Sequence, residues 1–207
     1  MEVKRLSDTD ISELCHTVAK ILMDSPEGSY QLKDVTDKWS LSYAFTFSQI
    51  TYWYNIGEVW VIGENQGMLA GHYNGRVKIF KLLSTTLRAN LRMLRSVSKE
   101  DRNKISRNVT ASAGAQNVKW RKQICKKSNY YFIDLIAIDP ALKGSGAFRK
   151  LIDPVLVRAK AEGIPVLLDT HDTDNVLIYQ HFGFEVVRQY TAKHDQDFIQ
   201  YAMIKWP

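Results

Sequence analysis

The stretch Lys143-Gly144-Ser145-Gly146-Ala147-Phe148 follows an apolar run closed by Asp139-Pro140 and leads into helically spaced Leu151, Leu156 and Ala159. A strand that runs through glycines into a helix is a device for holding phosphate. Glycine lets the backbone approach closely, and the free N–H groups of the helix start point at the anion along the favourable end of the macrodipole. Lys143 adds a point charge beside it. Taken alone, Gly144-Ser145-Gly146 serves equally well as a tight strand-to-helix turn with no ligand.

Two nucleotide-binding readings fail. No G-x-x-x-x-G-K-[ST] string occurs. A dinucleotide fingerprint needs a third glycine where this chain has Arg149, although Asp169 falls near the distance of a ribose-binding acid. Only about 60 residues follow the loop, too few for the remaining strands and helices of such a fold.

Three further side chains could accept a proton. Asp134 interrupts an apolar strand, and strict alternation puts it on one face with Phe132, Ile136 and Ile138. A carboxylate there is costly unless it is paired or used. Asp169 and His171 stand at the exit of a second apolar strand, where a structural hydrogen-bonding role for Asp169 and a plain strand-exit position for His171 are equally good readings.

The elements that must position these groups can be read along the chain. Val3 to Leu6 reads as a strand, and Asp8-Thr9-Asp10 caps a helix carrying Ile11, Leu14, Val18 and Leu22, which ends near Pro26-Glu27-Gly28. An aromatic-rich helix spans roughly Val35 to Tyr54. Glu58–Gly63 and Gly67–Gly71 flank Glu64-Asn65-Gln66 as an antiparallel hairpin. Phe80, Leu83, Leu87, Leu91 and Leu94 recur at helical intervals, with Arg88, Arg92, Arg95, Lys99 and Arg102 on another face. Tyr131 to Ile138 is a long strand, the helix after the glycine loop runs toward Gly163 with Pro154 inside it, and Val166 to Asp169 is a strand. Asp174 to His181 is a short helix, and Phe184–Arg188 and Phe198–Ile204 close the chain as strands.

A chain of 207 residues, 45% hydrophobic and 24% charged, suits one elaborated domain over residues 1–207. The net charge of +6 is uneven: residues 76–127 hold 15 Lys/Arg against Glu100 and Asp101, a local +13 that leaves −7 elsewhere. Such a segment fits a polyanionic partner, or simply a solvated helical face. Cys15 and Cys125 are far apart, with no Cys/His cluster of metal-ligand spacing, so they read as ordinary thiols in a reducing compartment and no metal is expected. The first residues lack an apolar signal core and no apolar run approaches the roughly 20 residues of a membrane span, so a cytoplasmic location is the expectation.

The motifs of the last third belong together. Leu135-Ile136-Ala137-Ile138-Asp139-Pro140, Lys143-Gly144-Ser145-Gly146, Leu151-Ile152, Leu167-Leu168-Asp169-Thr170 and Asn175-x-x-x-Tyr179-x-x-x-Gly183-Phe184 resemble the Gcn5-related N-acetyltransferase superfamily over residues 130 to 188. The resemblance implies an α/β fold with a mixed, mostly antiparallel central sheet flanked by helices, here with a basic helical insertion at 76–127 before the long central strand. Its loop pattern [Q/R]-x-x-G-x-[G/A] places Lys143 where Gln or Arg is usual and Phe148 where Gly or Ala is usual, while Gly146 fits.

What the resemblance implies about chemistry is specific. Acetyl-coenzyme A would set its phosphates on Lys143, Gly144, Ser145, Gly146, Ala147 and Phe148. Its arm would run along the backbone of Ile136, Ala137 and Ile138, whose N–H groups can stabilise an oxyanion, and touch Asn175. Tyr179 would stand at the departing sulfur: a phenol of pKa about 10 can protonate a thiolate whose acid lies near 8.5, and on spacing alone it is equally a packing aromatic. An ammonium acceptor must lose a proton before it attacks, and Asp134 ranks first as the base. The expected reaction is direct acetyl transfer to a primary amine of a small molecule. A nucleic-acid or RNA-linked partner at the basic segment is the alternative, and a homodimer is left open.

Overall fold

A computed structural model describes residues 3–6, 11–74, 97–126 and 129–207. The first strand, β1 (Val3–Arg5), precedes helix α1 (Ile11–Met23), whose buried side is Leu14, Cys15, Val18 and Ala19. The chain then makes a short helix, α2 (Pro26–Gln31). Ser25 caps it by accepting from Gly28 N–H at 3.0 Å, and Pro26 supplies a preset φ where no N–H is needed. Sequence reading ends the helix here and misses α2, whose six residues are too few for a periodic pattern. Asp37 caps α3 (Lys38–Ile56) by accepting from Ser40 N–H at 2.9 Å.

Strands β2 (Glu58–Ile62) and β3 (Gly67–Tyr73) form the predicted hairpin. The basic insertion is described from residue 97 onward, as helix α4 (Lys99–Ser112) and the short helix α5 (Trp120–Cys125). The expected stripe from Phe80 to Leu94, with Arg88, Arg92 and Arg95, lies outside the described residues. The last third follows as β4 (Tyr131–Ile138), α6 (Ala147–Glu162), β5 (Val166–Thr170), α7 (Thr173–His181), β6 (Glu185–Thr191) and β7 (Ile199–Lys205).

These strands make one seven-stranded sheet in the order β1-β2-β3-β4-β5-β7-β6, antiparallel everywhere except β4 against β5. The mixed, mostly antiparallel sheet expected from the sequence is therefore present. On one face lies α6, where Leu151, Ile152 and Val155 pack with Leu69, Ile133, Leu168 and Met203. Each such buried side chain contributes about 1.5–3 kcal/mol relative to leaving it exposed. The opposite face is covered by α1 and α3, with Leu14, Val18 and Ile50 against Val61, Met68 and Ala137. Farther along that face, Trp120 and Cys125 cover Phe132, Leu167 and Ala202. The described end of the basic insertion is thus part of the core, because its apolar residues close the sheet.

A buried ion pair ties α6 to the sheet. Arg158 donates to both carboxylate oxygens of Glu58, at 3.1 and 2.5 Å, a two-point contact that fixes direction as well as distance. Pro154 occupies the exposed side of α6, where its ring faces solvent. Among the described residues no helix is long and apolar enough to cross a membrane.

Candidate active site

The central opening is created by two neighbouring strands that part. β4 and β5 are in register only from Tyr131↔Val166 to Ile133↔Leu168, so the C-terminal half of β4 runs on without its parallel partner. The cause is visible on the other edge. Against β3, Gly71 pairs with Ile133 and Ala70 with Leu135, which leaves Asp134 as the extra residue of a β-bulge. A bulge bends the strand and raises its local twist, and here it swings β4 away from β5. Gly71 is needed for this packing, since a Cβ there would come within 2.6 Å of the Tyr131 hydroxyl.

The bulge also corrects the expected faces of β4. Ile136 and Ile138 pack on the α6 side with Tyr131 and Ile133, whereas Phe132, Leu135 and Ala137 pack on the opposite side. Asp134 therefore does not share a face with Ile136 and Ile138. It joins His72 of β3, whose Nδ1 lies 2.6 Å from its Oδ2. Both side chains are largely enclosed, at 12% exposure for His72 and 15% for Asp134.

Where β4 and β5 separate there is a cleft of about 920 Å³. Its walls are Ile133 to Ile136 of β4, Leu168 to Thr170 of β5, Asn175 and Tyr179 of α7, and Thr17, Lys20, Asp24 and Glu27 from the α1–α2 corner. Asp134, Ile136, Asn175 and Tyr179 are thus brought to one space, while Ala137 is buried beneath the strand. Asn175 is held by Asp172, donating from Nδ2 to Oδ2 at 3.3 Å. Tyr179 is buried against Phe148 and Phe184, and its hydroxyl has no hydrogen-bond partner among the described residues. Burial, and then the charge of Asp172, push this phenol well above its ordinary range, so it stays protonated.

The glycine loop leads from the end of β4 into α6. Gly144 and Gly146 take φ values of +79° and +76°, the left-handed region that favours glycine. A Cβ at either would meet nothing within 4 Å among the described residues, so both glycines are open on that side to them. Ser145 is turned back into the loop, its hydroxyl donating to Leu142 O at 2.7 Å and accepting from Ala147 N–H at 3.3 Å. Lys143 is exposed. The N–H groups of Phe148 and Arg149, in the first turn of α6, have no carbonyl one turn back within the helix. Phe148, the residue that departs from the loop pattern, turns away from that opening and packs 5.0 Å from Phe182. The arrangement fits a phosphate-bearing ligand.

Asp169 and His171 are otherwise engaged. Asp169 accepts from Trp120 Nε1 at 2.8 Å and from Arg121 Nη2 at 2.9 Å. Burial raises its pKa, offset in part by Arg121 and Trp120. His171 Nε2 donates to Ala115 O at 2.9 Å, its Nδ1 lies 3.5 Å from Glu27, and its ring stacks on Phe198. Sequence reasoning missed His72. Its signal was weak: a histidine following Gly71 at the end of a hairpin strand, whose partner is known only once the β3–β4 register is. Among the described residues no group of three or more His, Cys, Asp or Glu side chains could hold a metal ion.

The whole architecture has relatives among solved structures. A protein described as histone acetyltransferase HPA2 and related acetyltransferase, from Corynebacterium glutamicum, superposes with a TM-score of 0.65 at 15% identity, covering 99% of this chain and 95% of that one. The fold is that of the Gcn5-related N-acetyltransferases. Arylalkylamine N-acetyltransferase 2 of Aedes aegypti shares this acetyltransferase fold with a TM-score of 0.61 at 12% identity, covering 99% of this chain and 98% of that chain. An agmatine N-acetyltransferase does so at 0.56 and 11% identity, covering 100% and 99%. In sequence, the chain is 30% identical over 78 residues to an uncharacterized N-acetyltransferase of Schizosaccharomyces pombe. That match spans 37% of this chain and about a third, 32%, of the curated relative's length. No family model matches the sequence.

Proposed function

We propose that the protein is an acetyl-coenzyme A-dependent N-acetyltransferase acting on a primary amine of a small cationic molecule. One observation carries this reading: a buried, protonated tyrosine with an unpartnered hydroxyl and a carboxylate on a strand bulge open into the same cleft, beside a glycine loop over which no described residue packs. A tight turn without a ligand would account for the loop alone. It would not account for the other two groups at the mouth of a split sheet.

Acetyl-coenzyme A supplies an activated thioester. The Gly144–Phe148 turn and Lys143 hold its phosphates, and the stretch of β4 from Ile136 to Ile138, paired with β3 but running on past the end of its register with β5, lies alongside its arm with Asn175. Asp134 takes a proton from the acceptor ammonium, and Tyr179 gives its proton to the sulfur as the C–S bond breaks. Neither cysteine lines the cleft, so the acetyl group passes directly to nitrogen.

The acceptor class follows from the cleft's charge. Asp24, Glu27 and Asp134 line it with Lys20 as the one lysine or arginine among the described residues, a lining that suits a cation. Two proteins of the same fold carry the names of small amines, agmatine and arylalkylamines, which supports a small acceptor. Among the described basic residues of the insertion, Arg121 is spent on Asp169 and Lys104 on Glu100 and Asp101, while Lys99, Arg107, Lys119, Lys122 and Lys126 are exposed and keep the polyanion alternative open. Calorimetry with coenzyme A followed by acetyl-coenzyme A turnover over a panel of agmatine, tryptamine and spermidine tests the reading. Absence of coenzyme binding at millimolar concentration ends it.

A further inference from the structure

Asp134 stands on a bulge, at the place where the ladder gives a side chain the least guidance. The terminal torsion of an aspartate is broad and roughly two-fold, so nothing in the residue itself selects which oxygen meets an incoming amine. His72 does. It reaches across from β3 with Nδ1 at 2.6 Å from Oδ2, and because an ionised carboxylate can only accept, the ring presents Nδ1–H. The ring is itself held by Phe132, 5.8 Å away, which is covered in turn by the Arg121 guanidinium at 3.3 Å from its centroid. His72 is absent from the cleft wall while Asp134 is part of it, so the two have different roles.

We propose that His72 is the positioning residue for the proton acceptor: by donating Nδ1–H to Oδ2 it turns the remaining oxygen of Asp134 toward the acceptor amine. This rests on the acyl-transfer reading given above. The ammonium N–H bond breaks and its proton passes to Oδ1 of Asp134. The freed nitrogen lone pair forms the C–N bond, the C–S bond breaks, and Tyr179 O–H protonates the thiolate. Two protons leave the acceptor nitrogen per turnover; one restores Tyr179 and the other goes to water through Asp134. Among the described residues, the other ionisable groups that feel the Asp134 charge are Tyr52 of α3, raised by burial and by that charge, Tyr130 just before β4, and Tyr131 of β4.

The test compares His72→Ala with His72→Asn, whose amide N–H sits where Nδ1–H was, using the fastest amine among agmatine, tryptamine and spermidine. His72→Ala should lower kcat by about 10²-fold, the scale of a misaimed group, with amine KM and coenzyme Kd within about threefold of wild type. His72→Asn should recover at least about tenfold of that loss. Unchanged kcat in His72→Ala, or a folded His72→Asn no better than Ala, overturns the proposal. Ring nitrogen NMR of the wild type reads the same contact without any variant: Nδ1–H is expected, and an Nε2–H tautomer overturns it. If the wild type binds coenzyme A yet acetylates none of the amines, the acyl-transfer reading itself fails and takes this role with it.

Discussion

The rings of Phe148 and Tyr179 lie 5.7 Å apart at an angle of 55°, so the start of the helix after the glycine loop and the proposed acid form one packed unit. The bulky residue at the helix start therefore braces the phenol. Phe148→Ala should cost about 2 kcal/mol of stability, less than the 3–5 of a fully buried phenylalanine because the ring is only half-buried. Thermal unfolding reads the loss. Turnover should fall more than coenzyme affinity, since the removed ring packs against Tyr179 and not over the glycines. A variant that lost affinity alone would place the ring in the phosphate site.

Tyr179→Phe removes only the hydroxyl. If that hydroxyl protonates the sulfur, kcat should drop about 10²-fold, the lower end of what general acid catalysis contributes, while the coenzyme Kd stays within about twofold. Burial and Asp172 hold the phenol protonated, so the wild-type rate should show no loss of an acid up to about pH 10, the ordinary phenol value. A descending limb assigned to Tyr179 below that pH would contradict its environment. Unchanged kcat in Tyr179→Phe would remove its role altogether.

Gly146→Ala separates fold from ligand. The left-handed φ of +76° should cost about 1–2 kcal/mol with a side chain present. A Cβ there meets no atom of the described residues within 4 Å, so no further destabilisation is expected from crowding. On the proposed reading coenzyme A affinity should nonetheless fall at least about tenfold, because the added methyl would intrude where the backbone approaches the phosphates closely. Gly163→Ala, at a similar φ of +65° but at the far end of α6, is the control. Equal coenzyme affinity in the two variants would show that the loop is only a turn.

How much of this was legible depended on whether the information was local. The hairpin from Glu58 to Gly71, the strand Tyr131–Ile138 and the glycine-started helix announce themselves by turn residues, an apolar run and paired glycines. The local motifs placed Asn175 and Tyr179 on α7, and both reach the cleft. The orientation of Asp134 was misread because one inserted residue shifts the alternation, and a bulge belongs to a strand pair, not to a strand. For the same reason His72 was invisible: its partner is 62 residues away and chosen by register. The basic composition of α5 likewise concealed that Trp120 is fully buried and Arg121 ion-paired to Asp169.

His171 links the α1–α2 corner of the cleft to the sheet, and that link should depend on pH. Burial disfavours the charged ring, but the Glu27 carboxylate, the Ala115 carbonyl and the Asp169 charge outweigh it, and the pKa is raised above its ordinary value. A group whose folded-state pKa is raised stabilises the fold fully below its unfolded value, about 6.5, and loses that contribution as pH climbs through the folded-state value. Glu27→Gln keeps the shape and removes the charge. Melting temperatures of the two proteins should differ most near about pH 5.5 and converge toward about pH 9. A gap that stayed constant over this range would mean that Glu27 acts on α2 through its contact with Gln31, 2.9 Å away, and not through His171.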